Sequence, residues 1–321
     1  MKSFVFIISL SLSVLGANAQ FPYLRAINYP YQVPSQTIYD IFTDSKGQIW
    51  LGSDRGLLLF NGKKAKEVPF CQSRQNDITH LSEDKEGRIW GMNFANQIFF
   101  LQNDTLHHFQ LPQKISLEGN LLKFVVSQGA IWLLTDRQVL AIHLKTKDLL
   151  FTFSSKEKNT DFLDIAFFAE KIHVVSPKVA YLFDEKGKIE TWNIPITGSC
   201  RFVQTKDFLL LAHRENITRK AAIFENNRWQ ALPDFILEAD VTIFHYKSTP
   251  DGYVWICTKQ GGYLWNVRTG FTQLLFPEKQ FTGIAKDYQG NYWISTLNKG
   301  LWFCPSLNTL IYSPISEGRL A

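Results

Sequence analysis

Cysteine is scarce in this sequence, with four residues among 321. The four lie far apart and include no C-x-x-C pair; they are Cys71, Cys200, Cys257 and Cys304. Disulfide-stabilised domains are richer in cysteine, and structural zinc sites need closely spaced pairs, so neither is predicted. Cys257 and Cys304 lie within strand-like patterns and are interpreted as small buried apolar residues. One cysteine pair in an oxidising compartment is the alternative.

The common catalytic motifs are also absent. The sequence contains no H-E-x-x-H, no G-x-S-x-G and no P-loop, and its seven histidines are scattered. Its D-x-x-G tetrapeptides resemble fragments of calcium loops, but they lack the further carboxylates that such loops need, so they are interpreted as turns. We therefore expect no enzyme, and no cofactor or metal site is predicted.

Long apolar runs are missing after the first twenty residues, since runs such as 165–169 and 208–212 have only the length of strands. The start of the chain is different. Lys2 precedes an apolar run from Phe4 to Gly16, and residues 17–19 read Ala-Asn-Ala, a small-x-small cleavage pattern. Residues 1–19 are predicted to be a signal peptide, and the mature protein is expected in the periplasm or outside the cell. An uncleaved anchor is less favoured because serines interrupt the run.

Strong charge is lacking too, because the formal net charge is only +5. Together with export, this modest charge argues against a nucleic acid partner. Aromatic residues, in contrast, make up 14% of the sequence. Such a content suits packed β-sheet faces and argues against disorder.

What the sequence does contain is a repeat. The stretch 49–60, IWLGSDRGLLLF, returns in copies that begin at Ile89, Ile131, Ile172, Val254 and Tyr292, with a worn copy near Phe208. The anchor residues of the copies, 36 to 46 residues apart, are Trp50, Trp90, Trp132, His173, Leu209 (or Leu210), Trp255 and Trp293. A period of about 40 residues with four short strands is typical of propeller blades. We predict an all-β fold, a seven-bladed β-propeller of four-stranded antiparallel blades.

The repeat fills the mature sequence, so residues 20–321 are predicted to form one propeller. The blades are predicted at about 37–70, 77–111, 120–153, 162–194, 201–232, 241–275 and 280–315. Blades four and five are degenerate: His173 replaces a tryptophan and is expected in the core, and polar residues are inserted at 214–220. A strand near Leu24 to Tyr29, one at Thr309 to Ser313, or both could close the ring from outside blade seven, and the sequence does not decide among these alternatives.

With turn, anchor and glycine in register, the repeat resembles the two-component-regulator propeller repeat. The resemblance is carried by IYDIFTDSKGQIWLGSDRGLLLFNG in blade one and FTGIAKDYQGNYWISTLNKGLWF in blade seven. It covers nearly all of the mature sequence and is strongest in blades one, two, six and seven. It implies the periplasmic sensor region of a bacterial histidine kinase. Many such regions detect oligosaccharides, so the resemblance implies sensing without catalysis.

In that family, the propellers are usually followed by an immunoglobulin-like domain, a membrane helix and a kinase. The 321 residues contain no kinase histidine box and no glycine-rich ATP lid. We therefore expect either the amino-terminal part of a longer sensor or a free-standing exported propeller. The resemblance implies a kinase or membrane-linked output domain as the partner, in the same chain or another.

A candidate site follows from the repeat. In a propeller, the loops between second and third strands surround one mouth of the central channel. Concave sites of this kind are the usual positions of bound ligands. Six blades carry a cation at nearly the same point of this loop, namely Arg55, Arg137, Lys178, Arg214, Lys259 and Lys299. Such a rim would attract an acidic or sulfated oligosaccharide, or another carboxylate or phosphate ligand. The alternative is that these are ordinary solvated loop cations.

Other loop residues complete the predicted site. Hydrogen bonds are expected from Asn93, Asn96, Gln260 and Asn298, and Phe94 is expected to stack on a sugar face. His213 lies on the predicted rim. If the protein were instead a lyase or hydrolase acting on polysaccharides, His213 would pair with a carboxylate across the mouth. A third possibility, a scaffold that binds another protein, predicts an exposed apolar patch on blades four and five.

Overall fold

Only strands form in the part of the chain that the computed structural model describes, which is residues 22–29, 31–71, 77–154, 161–184, 187, 189–214, 217–238 and 241–307. These strands make seven four-stranded antiparallel sheets and one two-stranded sheet. The predicted seven-bladed propeller is confirmed. The predicted signal peptide lies outside the described residues. The described residues contain no helical segment that could span a bilayer.

The first strand of each blade lines the central channel. These inner strands are β2 (Ile38–Thr43), β6 (His80–Glu83), β10 (Leu121–Ser127), β14 (Asp164–Phe168), β18 (Cys200–Gln204), β24 (Ile243–Ser248) and β28 (Phe281–Lys286). The second strands are β3 (Ile49–Ser53), β7 (Ile89–Met92), β11 (Ala130–Thr135), β15 (Lys171–Val175), β19 (Leu209–His213), β25 (Val254–Thr258) and β29 (Tyr292–Thr296). Most second strands are buried along their whole length, which explains their nearly continuous apolar sequences.

The outer half of each blade is more exposed. The third strands are β4 (Gly56–Phe60), β8 (Ile98–Gln102), β12 (Gln138–His143), β16 (Val179–Phe183), β21 (Ala221–Glu225), β26 (Gly261–Trp265) and β30 (Leu301–Cys304). The outermost strands of blades one to six are β5 (Ala65–Glu67), β9 (Thr105–His108), β13 (Leu149–Ser154), β17 (Ile189–Asn193), β22 (Arg228–Ala231) and β27 (Thr272–Pro277). Blade seven receives its outermost strand from the start of the chain.

That strand is β1 (Arg25–Ala26), which pairs antiparallel with β30. The Ile27 amide continues the ladder by donating to the Leu301 carbonyl at 2.9 Å. Of the two closing strands that the sequence allows, the structure therefore shows the amino-terminal one. The rival segment, Thr309 to Ser313, lies outside the described residues. Joining the two ends of the repeat in one sheet protects the ring from opening at that blade.

The core lies between the blades. Seven clusters of buried apolar side chains fill the seven interfaces, including the one between blades seven and one. In that closing interface, Phe60 of blade one packs edge to face on Trp293 of blade seven, with ring centroids 4.8 Å apart. Because each interface buries its own core, the ring is closed by packing as well as by β1.

The D-x-x-G turn and the tryptophan anchor form one unit. In the first blade, Asp44 accepts hydrogen bonds from the Lys46 and Gln48 amides and from Nε1 of Trp50, the last at 2.9 Å. The same indole bond recurs from Trp90 to Asp84 and from Trp293 to Asp287. The carboxylate therefore holds the turn and the anchor, which explains why the two recur together. Blades three and six lack the aspartate, and Nε1 of Trp132 and of Trp255 has no partner among the described residues.

The degenerate blades keep the architecture by substitution. His173 stands in place of a tryptophan and is fully buried, as predicted, against Phe224 at 4.9 Å between ring centroids. Burial lowers the pKa of His173 to about 4. In blade five, β20 (Thr218–Arg219) of the inserted segment pairs with β23 (Phe235–Ile236), which follows the outermost strand, and the two form a two-stranded ribbon.

Three of the four cysteines are packed as apolar residues. No disulfide forms among the described residues; Cys200, Cys257 and Cys304 are buried, whereas Cys71 is exposed. The interpretation of Cys257 and Cys304 as packed core residues is confirmed.

Candidate functional site

Two sets of loops build the mouth of the channel at which the second strands end. One set joins second to third strands, and the other joins each outermost strand to the next inner strand. Backbone hydrogen bonds tie the sets together, for example from the Ile78 amide to the Ser53 carbonyl and from the Phe162 amide to the Asp136 carbonyl. This face, called the mouth face below, carries all of the predicted site residues.

Four of the predicted cations are exposed on the mouth face, namely Arg55, Arg137, Lys178 and Lys259. None of the four forms an ion pair with a described residue. Lys299 is exposed as well, and its ammonium donates to the Glu278 carbonyl at 3.4 Å. These five side chains are therefore accessible to a ligand at the mouth.

Arg214, the sixth cation predicted at the rim, is not exposed there. Its side chain is half-buried and turns inward, where Nη2 donates to the carbonyl of Ile243 on the inner strand of blade six at 2.7 Å. The rest of the inserted segment also differs from a simple solvated loop. Arg219 is buried, with guanidinium bonds to the carbonyls of Ile217 and Val241. The longer loop of blade five lets its arginines reach the protein interior.

An aromatic pair lies between blades one and two. Phe94 is 65% exposed and packs edge to face on Tyr39, with ring centroids 5.1 Å apart. The Phe94 amide donates to the carboxylate of Asp77 at 2.9 Å, which fixes the loop. Burial, with the charges of Asp54 and Asp77, raises the pKa of Tyr39. An exposed ring face beside polar groups is well suited to stack on a sugar ring.

Asn93 contradicts the prediction of a ligand contact. The side chain is buried, and its amide group exchanges two hydrogen bonds with Gln97, at 2.9 and 2.8 Å. Asn93 therefore shapes the loop instead of facing a ligand. Asn96, three residues further along the same turn, is exposed and has a positive φ of 60°. Asparagine tolerates this left-handed conformation better than most residues.

Of the remaining predicted polar residues, some bond to the protein and others are exposed. Gln260 is half-buried and accepts a bond from the Thr242 amide at 3.1 Å, so it ties two loops together. Asn298 is exposed. His213 is half-buried, and its Nε2 contacts the carbonyl oxygen of Thr197. The carboxylate partner that the enzyme hypothesis requires for His213 is absent from the described residues around it.

The mouth face is less positive than the predicted loops alone imply. The loops that lead into the inner strands add Asp77 and Glu118. Asp54 accepts a bond from the Ser35 hydroxyl at 2.6 Å, and Asp136 accepts one from the Asn120 amide at 2.9 Å. Acidic residues therefore alternate with the exposed cations around the mouth, and any attraction of anions depends on local groups.

The sequence reasoning missed a second group of polar residues inside the channel. We call it the channel cluster; it consists of Asp40, His80, Lys123, Asp164, His245 and Lys247. Its members come from the inner strands of blades one, two, three, four and six. His80 lies within electrostatic range of both lysines and both aspartates, so these side chains face one another.

Two carboxylates organise the channel cluster in the same manner. Asp40 is 1% exposed and accepts bonds from the Ile41 amide, from the Leu81 amide of the next blade and from Lys247 at 2.5 Å. In blade four, Asp164 likewise binds the next amide along the chain, Lys123 at 2.8 Å, and the Phe202 amide of the next blade. We call these two arrangements the Asp40 clasp and the Asp164 clasp. Each joins neighbouring inner strands beside the channel.

The electrostatics of the channel cluster keep its histidines neutral at pH 7. Burial lowers the pKa of His80 to about 4, against an opposing effect of Asp40. Burial and then the Lys247 ammonium lower the pKa of His245 to about 3. Burial alone would raise the pKa of Asp40, but the nearby Lys247, His80 and His245 outweigh it and leave this pKa below its usual value. The cluster at neutral pH therefore holds two carboxylates, two ammonium groups and two neutral imidazoles.

The spacing of these residues was visible in the sequence. Asp40, His80 and His245 lie ten residues before their anchors, and Lys123 and Asp164 lie nine before theirs. The difference of one residue reflects the turn between first and second strands, which varies in length. Counting backwards from each anchor, as well as forwards into the loops, would have found five of the six members; Lys247 lies eight residues before Trp255 and does not share this spacing.

A family model for the two-component regulator propeller matches residues 32–55 of this chain. The match contains β2, β3 and the turn between them. It confirms the resemblance inferred from the repeat. No significant match occurs among curated proteins.

Solved structures share the fold. The extracellular domain of a putative hybrid two-component system from B. thetaiotaomicron has a TM-score of 0.64 at 14% identity, over 89% of this chain and 40% of that chain. A second such extracellular domain from the same organism has a TM-score of 0.63 at 16% identity, over 88% and 41%. This chain therefore spans about two fifths of the length of those domains.

A catalytically inactive virginiamycin B lyase from Staphylococcus aureus, solved with quinupristin, is also similar. Its TM-score is 0.64 at 14% identity, over 88% of this chain and 99% of that chain. Extracellular domains of putative hybrid two-component systems and a lyase thus share this architecture. At such low identities the likeness shows the fold alone, and function has to be argued from the residues of the site.

Proposed function

We propose that this chain is the ligand-sensing propeller of an exported two-component sensor and that it binds a carbohydrate at the mouth face. The observation that carries the proposal is the two-component-regulator propeller match at residues 32–55. The extracellular origin of two structural neighbours supports an exported location. Output would pass to a kinase or membrane-linked domain in the same chain or in a partner.

The chemistry of the mouth face supports a sugar ligand with acidic groups. Phe94 offers an exposed ring for stacking, and cations such as Arg55, Arg137 and Lys178 stand free of ion pairs with described residues. Exposed guanidinium and ammonium groups recognise carboxylate and sulfate groups through charge-assisted hydrogen bonds. An acidic or sulfated oligosaccharide would meet both features.

A glycan array tests this proposal. Purified protein should bind a subset of acidic or sulfated oligosaccharides, and the combined Arg55→Glu, Arg137→Glu and Lys178→Glu variant should lose at least about tenfold in affinity, since like charges now oppose the ligand. Phe94→Ala should weaken binding without changing the preference for acidic sugars. The matched control is Lys66→Glu on β5, an exposed reversal remote from the mouth. Equal binding by all these variants would refute an anionic ligand at the mouth.

A second candidate function is contact with another protein. The ribbon of blade five exposes Ile217 and Ile236, at 53% and 61%, on neighbouring positions. An exposed apolar patch on blade five is what the scaffold hypothesis predicts. Ile217→Glu with Ile236→Glu should abolish capture of a partner and leave glycan binding intact, whereas a sugar site that reaches the ribbon would lose both.

A further inference from the structure

Several hydrogen-bond donors inside the channel have no partner among the described residues. The two carboxylates of the channel cluster accept bonds at both of their oxygens. Each of the lysines, in contrast, donates a single bond to a described residue, although an ammonium group has three N–H donors. The imidazoles of His80 and His245 donate no hydrogen bond to any described residue. The acceptors of the cluster are therefore occupied, and its donors are in excess.

These donors are open to the interior of the channel. The side chains of Lys247, Lys123 and His80 are 22%, 28% and 27% exposed. His245 is half-buried on the same inner strand as Lys247, two residues away. Asp40 and Asp164, at 1% and 4%, are withdrawn behind them. A small molecule in the channel would therefore meet ammonium and imidazole groups before it met a carboxylate.

The charges of the channel cluster itself do not oppose an anion. The two ammonium groups balance the two carboxylates, and the imidazoles are neutral at pH 7. Arg214, which turns inward from the mouth face, adds a positive charge within electrostatic range of His245. N–H donors without a described partner, beside carboxylates that are already engaged, suit an oxyanion. A cation would lie against two ammonium groups with both carboxylates already engaged.

We propose that the channel cluster is a binding site for a small oxyanion, such as an inorganic phosphate or sulfate ion or the carboxylate of a small acid. Lys123 and Lys247 supply charged donors, and His80 and His245 supply neutral ones. The site is separate from the sugar site proposed at the mouth face and does not depend on it. The two proposals can fail independently.

Calorimetric titration of the full chain with sodium phosphate, sulfate and acetate tests the site at pH 7 and constant ionic strength. Saturable binding of at least one of these anions is expected. Lys247→Met should weaken it by about tenfold or more, because one charge-assisted hydrogen bond is worth about 1.5–3 kcal/mol. His245→Ala should weaken it less. Lys66→Met, the exposed control on β5, should leave it unchanged.

Two further measurements keep the proposal falsifiable. If Lys247→Met fails to fold, the double variant Asp40→Asn with Lys247→Met removes both charges of the pair and should fold but bind weakly. In the unaltered protein, NMR titration should show that the bound anion raises the pKa of His245 above the value that burial, Lys247, Asp40, His80 and Arg214 together set without it. Absence of saturable binding for all three anions would overturn the site. Binding that only the mouth-face variants weaken would overturn it too.

Discussion

The Asp40 clasp and the Asp164 clasp use the same register of the inner strand but obtain their cations from different places. In the Asp164 clasp, Lys123 comes from blade three, so three consecutive blades are joined. In the Asp40 clasp, Lys247 comes from blade six, which is not a neighbour of blade one in the ring. One clasp is therefore local, and the other reaches past blade seven along the channel wall.

The difference shows which blades are held together by apolar packing in addition to a clasp, and which are connected by the clasp alone. Blades three, four and five share apolar interfaces that would hold them together without Lys123. No apolar cluster joins blades one and six among the described residues, so the bond between Asp40 and Lys247 is a connection that the core does not repeat. The Asp40 clasp should therefore matter more for the ring as a whole.

The largest expected effect comes from removing each carboxylate. Asp40→Ala should lower the free energy of unfolding by about 3–5 kcal/mol, because it leaves an uncompensated lysine in the channel and strips a partner from the Leu81 amide. Asp164→Ala should cost less, about 2–3 kcal/mol, since Lys123 is slightly more exposed and its blades stay packed. Denaturant unfolding followed by tryptophan fluorescence measures both.

An exposed aspartate provides the control for this pair. Asp207→Ala, in the turn between β18 and β19, should change the free energy of unfolding by less than about 0.5 kcal/mol. Equal losses for Asp40→Ala and Asp164→Ala would show that the longer reach of Lys247 adds nothing to the ring.

Acidification should lower the free energy of unfolding through His245, the histidine beside the Asp40 clasp. The pKa of His245 is lowered from 6.5 to about 3 in the folded protein, so the unfolded chain binds more protons once the pH falls below 6.5. Stability from this group is complete above pH 6.5 and declines as the pH falls towards 3. At pH 4.5 the loss is about 2.5 kcal/mol relative to pH 7.

Thermal unfolding of His245→Phe tests this expectation. The difference between its unfolding midpoints at pH 7 and pH 4.5 should be smaller than in the unaltered protein, while Lys66→Met should keep the original difference. His80 and His173, each with a pKa of about 4, leave part of the acid sensitivity in place. An unchanged pH difference in His245→Phe would mean that His245 does not titrate below its ordinary range.

The fold was predictable because its signals are local and repeated. The hydrogen bond that the Trp50 indole donates to Asp44 joins residues only six positions apart, so the turn and the anchor appear together in the sequence. Blade closure was not predictable, because β1 pairs with β30 across almost the whole chain. Two strand-like segments compete for that edge in the sequence, and only the three-dimensional register decides between them.

The candidate site was predictable only in part. Counting residues from the anchors placed Arg55 and Lys178 correctly on exposed loops, because loop position follows from the repeat. Such counting could not show that the side chain of Asn93 is hydrogen-bonded to Gln97 or that Arg214 turns inward. Both facts depend on side-chain partners that the repeat does not specify. The bond from Lys247 to Asp40 joins residues 207 positions apart and has no signature along the sequence.

The smallest expected effect separates the two lysines. The Lys247 ammonium lowers the pKa of His245, whereas Lys123 is not among the charges that act on this imidazole. Lys247→Met should therefore raise the pKa of His245 from about 3, and Lys123→Met should leave it nearly unchanged. For His80, which both ammonium groups affect, either substitution should raise the pKa. Histidine ring signals followed by NMR from pH 7 to pH 3 measure the pKa values of His80 and His245 in each of the two variants. A raised pKa of His245 in Lys123→Met would show that both lysines act on the same histidine and that the two clasps are not separate.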